Sequence, residues 1–146
     1  MNISDFVPKE EVQRACQELG IRDWTKLSDT KVQVEEAKII QATVGSEALQ
    51  IPVEWFQQGL EVELEHGLQF ADANVTNNHP ILTGKIVLAH LKEMLDYYLR
   101  LNVAELEGDL LKASQKGDAE KLSRIYRKLI LARAALSEWE RSDLGL

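Results

Sequence analysis

Acid and imidazole stand where apolar side chains belong at two places in this sequence, Glu63-Leu64-Glu65-His66-Gly67 and His90-Leu91-Lys92-Glu93. Projected at about 100° per residue, the segment 53–67 gathers Val53, Phe56, Leu60 and Leu64 with Trp55, Gly59 and Val62 on one broad arc. Gln57, Gln58, Glu61 and Glu65 fall outside it. Glu63 falls near the middle of the arc, and His66 shares its face at i, i+3 spacing. A carboxylate turned inward needs a partner or a proton, because burying it charged and alone costs several kcal/mol.

One chemistry that satisfies it is a metal site. Helical bundles that hold two irons or manganese ions use inward Glu-x-x-His pairs, since this spacing aims a carboxylate oxygen and an imidazole nitrogen at one point. Glu63 and His66 have that order, whereas His90 and Glu93 run in reverse. These four are the candidate ligands of a divalent ion. The full dinuclear pattern requires two more glutamates, and the spacing recommends neither Glu105 nor Glu107. Height along the helices also matters. His66 would lie at the end of its helix and His90 roughly 15 Å into the next. The two pairs become level only if the second helix overshoots by two turns or more; otherwise His79 is the better neighbour for His66.

The other reading is a structural network. Arg133 lies on the apolar stripe of the last predicted helix and could neutralise Glu63 through two parallel hydrogen bonds. Tyr97 and Tyr98 supply hydroxyls for His66 or His90. Catalysis without metal would have only these carboxylates and imidazoles as general acid and base, with no evident nucleophile or oxyanion device. Glycine-rich phosphate loops and a Gly-x-Ser-x-Gly elbow are absent.

The elements that must position these groups are all helical. Pro8, Pro52 and Pro80 stand at first helical positions, and Gly20, Gly45, Gly67 and Gly117 stand where helices should end. The pattern predicts an all-α fold of about five helices, over 8–19, 30–44, 52–66, 80–101 (extending as far as 113) and 118–139. The β-branched content of 30–44 leaves a strand as its alternative. The last two helices, joined at Gly117, form an antiparallel hairpin with a stripe of Leu122, Ile125, Tyr126, Leu129, Ile130, Leu136 and Trp139. No sustained heptad repeat is expected. The polar stretch 68–79 is near the upper length for a structureless loop, a length often associated with function.

The chain has 146 residues, enough for one domain spanning 1–146 with a real core. Its single cysteine, Cys16, shares a stripe with Val12, Ala15 and Leu19 and reads as a small buried hydrophobe. Residues 1–79 hold 6 Lys and Arg against 14 Asp and Glu. That imbalance argues against a nucleic-acid partner. The basic cluster Lys121, Arg124, Arg127 and Lys128 reads as a solvated helix face. No apolar run is long enough for a membrane span, and the first residues lack the apolar stretch of a signal peptide, so a cytoplasmic location is expected. The broad apolar arc around Leu88, Leu91, Leu95 and Leu99 predicts a homo-oligomer or a protein partner.

From about residue 19 to 101 the chain resembles an uncharacterised bacterial and phage helical domain family, a domain of unknown function. The resemblance rests on Leu19-Gly20-Ile21 with Trp24, on Gly59 and Val62-Glu63-Leu64-Glu65-His66-Gly67, and on Asn74-Val75-Thr76-Asn77. It continues through Leu82-Thr83-Gly84-Lys85-Ile86 and Ala89-His90-Leu91 with Glu93 to Tyr97-Tyr98. It implies a small helical domain and assigns no activity. Residues 27–52 look like an insertion, and the helix at about 118–140 like an addition.

Overall fold

A computed structural model describes residues 6–146 and shows an all-α chain, with no strand among those residues. The first five residues, which carry most of the stretch read for a signal peptide, lie outside the described residues. The helices are α1 (Lys9–Leu19), α2 (Val34–Val44), α3 (Val53–Gln69), α4 (Pro80–Glu93), α5 (Tyr97–Gln115) and α6 (Ala119–Asp143). No helix among the described residues is long and apolar enough to cross a membrane.

Among the described residues six α-helices replace the expected five, because 80–113 is not continuous. The chain turns at Met94-Leu95-Asp96 without proline or glycine. Tyr97 N–H donates to Met94 O in a tight turn, and the buried Asp96 binds Arg100 at 2.7 Å. The second helix starts at Val34 rather than near 30. A capping box of Gln33 and Glu36 fixes that start, with Gln33 N–H donating to Glu36 at 3.1 Å. Gly20 and Gly117 do end helices, at φ 67° and 66°. Gly67 does not end α3, which runs on to Gln69. A Cβ at residue 67 would lie 2.0 Å from Asn78 Oδ1, so this glycine serves a close approach.

The chain divides into two compact units, Met1–Glu93 and Met94–Leu146. In the first, Val12, Cys16 and Trp24 are buried, as are Ile40, Phe56, Leu60, Leu64, Val87 and Leu91. Polar side chains hold its connections. Gln41, itself buried, donates to Ala48 O and Ile51 O, both at 2.7 Å. Gln57 donates to Val32 O at 2.7 Å while Glu61 accepts Val32 N–H at 3.1 Å. Two residues on the polar side of α3 thus occupy both backbone groups of Val32, much as a strand partner would.

The second unit is the expected antiparallel hairpin. Leu99, Val103, Leu106, Leu110 and Ala113 of α5 face Leu122, Ile125, Leu129, Ala132, Leu136 and Trp139 of α6 in alternating three- and four-residue steps. That spacing continues for only about two heptads in each helix, short of a sustained repeat. Tyr126 and Ile130, expected on the stripe, are exposed. Arg100–Glu140 at 2.9 Å and Arg133–Glu107 at 2.7 Å flank the seam and fix its antiparallel sense.

Candidate functional site

Glu63 of α3 and His90 of α4 meet across the two helices, although Glu63 lies six residues before the end of α3 at Gln69 and His90 ten residues after the start of α4 at Pro80. His90 Nε2 stands 3.7 Å from Glu63 Oε1, with side-chain exposures of 31% and 15%. Glu63 is therefore largely but not fully withdrawn from water.

Glu63 and His66 together line a cleft of about 390 Å³ with Gly67, Phe70, Ala73, Asn74, Val75, Thr76, Thr83 and Ile86. Phe70, Val75 and Ile86 are exposed apolar groups at its walls, while Thr83 is buried. The segment 70–79 that forms one side is not structureless. Asn74 donates to Asn78 Oδ1 at 2.9 Å and to Gly67 O at 3.2 Å, locking the turn onto α3. Asn77 and Asn78 adopt consecutive left-handed conformations at φ 49° and 57°, which cost about 1–2 kcal/mol each for residues other than glycine. Asn77 Nδ2 recovers part of this by donating to Val7 O at 3.2 Å, beside the Val7 N–H to Val75 O bond at 2.9 Å.

His79 is not the neighbour expected for His66. Its Nδ1 accepts the N–H groups of Ile81 at 3.2 Å and Leu82 at 3.5 Å, capping α4, while its Nε2 faces Glu11 at 3.8 Å. Glu93 is exposed and is not among the groups lining the cleft. No group of three or more His, Cys, Asp or Glu side chains among the described residues is arranged to hold a metal ion. Arg133 does not point inward; its side chain is 50% exposed and bonded to Glu107. The face holding Arg133 had been placed on the stripe, whereas the seam runs through Leu129, Ala132 and Leu136 beside it.

Among the described residues the most deeply buried carboxylate in an ion pair is that of Glu36, held by Arg22. Arg22 Nε donates to Glu36 Oε1 at 2.9 Å and its terminal nitrogen to Oε2 at 2.7 Å, with only 4% of the Glu36 side chain exposed. Burial pushes the Glu36 pKa up, but the Arg22 bonds and the N–H groups of Gln33 and Arg22 outweigh it and hold the carboxyl below its ordinary value.

Cys16 is packed as expected, with Trp24 N–H donating to its sulfur at 3.4 Å. Burial pushes its thiol pKa up. Native protein should therefore react with a thiol-specific disulfide reagent at least about tenfold more slowly than the same chain in denaturant. Equal rates would show that Cys16 is accessible.

A family model described as Protein of unknown function (DUF5661) matches residues 12–107. The chain belongs to this family. The DUF5661 match begins within α1 at Val12, takes in the segment 27–52 expected as an insertion, and ends within α5, so α6 lies beyond it. No curated protein and no solved structure matches the chain. Membership therefore assigns no activity. Phe70 and Ala73 were missed as cleft residues because they follow the glycine that was read as the end of α3.

Proposed function

We propose that this DUF5661 protein is a cytosolic, self-associating module whose contact surface is the outer face of α6. The observation that carries it is the row Tyr126, Ile130 and Ala134, exposed at i, i+4 spacing on the side of α6 away from its seam. Tyr126 and Ile130 are 51% and 46% exposed, and Leu131 beside them is 71% exposed. The arc of Leu88, Leu91, Leu95 and Leu99 offers less, since Leu91 is buried and the other three are half-buried. A two-helix hairpin has one internal seam, and a second copy related by a two-fold axis would cover this row with the same row. The excess of acid in the chain, with a net charge of -7, favours a protein partner over nucleic acid.

Sedimentation equilibrium at micromolar concentration should give a dimer mass. The double variant Tyr126→Lys, Ile130→Lys should raise the dimer Kd by at least about 100-fold, because each copy withdraws two side chains worth roughly 1.5–3 kcal/mol apiece. A monomer mass for the wild type, or a dimer unaffected by the two lysines, would overturn the reading.

A further inference from the structure

The cleft on α3 and α4 combines one largely buried acid with exposed apolar walls. We infer that it binds a small organic cation, an amine attached to an apolar or aromatic body, with the Glu63 carboxylate receiving the ammonium group. Its volume of about 390 Å³ lies within the range of small-molecule sites. Phe70, 52% exposed, and Val75, 58% exposed, leave apolar surface open to solvent at its walls, and Ile86 faces the same space. Such walls favour a ligand that carries apolar surface of its own.

Charge decides the sign of the polar group. Residues 1–93 hold 8 Lys and Arg against 15 Asp and Glu, and no Lys or Arg lines the cleft. Glu63 already stands 3.7 Å from His90 Nε2, and an ammonium group would share that carboxylate, whereas a carboxylate ligand would meet it together with a like-signed field. Thr83, His66 and Phe70 line the cleft beside Glu63, and an aromatic ring near a cation adds to its attraction.

Three probes that share a phenethyl body and differ in the charge of the polar group separate the contributions: 2-phenylethylammonium, 3-phenylpropanoate and 2-phenylethanol, titrated against the full chain by heteronuclear NMR. The cation should bind at least tenfold tighter than the alcohol, with shifts confined to residues around Glu63, Phe70 and Thr83, and the anion should bind weakest. Glu63→Gln should abolish the preference for the cation while leaving the melting temperature near that of the wild type. Phe70→Ala, at an exposed position, should weaken the cation several-fold without unfolding the chain. Equal affinity for all three probes would reduce the cleft to apolar adhesion and overturn the inference, as would absence of binding. Zinc binding lost in both Glu63→Gln and His66→Ala, without amine binding, would overturn it in favour of a metal site.

Discussion

Arg22→Ala should destabilise the first unit by roughly 3 kcal/mol or more, the range for breaking a buried ion pair. The truncation leaves the Glu36 carboxylate, 4% exposed, without the cationic partner that Arg22 provides. Backbone N–H groups of Arg22 and Gln33 remain at 3.0 and 3.1 Å and keep the cost toward the lower end. Glu36→Ala should cost less, because the Arg22 side chain is 37% exposed and can turn to water. The double variant should then cost less than the sum of the two. Urea unfolding followed by tryptophan fluorescence in a Trp139→Phe background reads the first unit through Trp24 and Trp55. The pH dependence carries a sign. The folded pKa of Glu36 is lowered from 4.5, so the unfolded chain binds the proton more readily. The stabilisation is complete above the unfolded value and is lost as pH falls through the folded one. That acid loss should be smaller in Arg22→Ala, and an unchanged slope would remove Glu36 as its source.

The same substitution made at two glycines should have opposite signs. A Cβ at Gly84 would lie 2.7 Å from Ile40 Cγ2 and 2.8 Å from Val44 Cγ2. Both neighbours are β-branched residues on α2, held near one rotamer, so their methyls cannot swing aside. Gly84→Ala should cost about 1–3 kcal/mol by overpacking, despite the better helix propensity of alanine. At Gly108 of α5 a Cβ meets nothing within 4 Å. Gly108→Ala should therefore stabilise by about 1 kcal/mol. Denaturant midpoints decide both, and a stabilising alanine at residue 84 would mean that α2 and α4 are not in close contact there.

The helices were legible in the sequence wherever apolar spacing coincided with proline or glycine. α1 and the start of α6 at Asp118 are of this kind, because local capping chemistry decides them. The break at Met94-Leu95-Asp96 was illegible because it carries no breaker residue and is held by a tight backbone turn and the Asp96–Arg100 pair. Gly67 misled because a glycine needed for space looks in sequence like one needed for a left-handed turn. The candidate site was half legible. The helical period correctly put Glu63 and His66 on one face, but it could not identify the buried acid. Glu36 is buried by a partner 14 positions away in an irregular segment, and no periodicity reports such a contact.

The Val7 pairings with Val75 and Asn77 have a consequence for the order in which the chain assembles. The Asn77–Val7 bond spans 70 positions, whereas α5 and α6 are joined by a short turn at Gly117. Contacts close in sequence demand little loop-closure entropy and form early, and distant ones must wait until the intervening chain is compact. The left-handed asparagines should thus be clasped late, by the segment before α1, after the helices that flank the cleft have met. Local opening of the native protein should retrace this sequence, so the amides of Val7 and Val75 should exchange with solvent before those of α3.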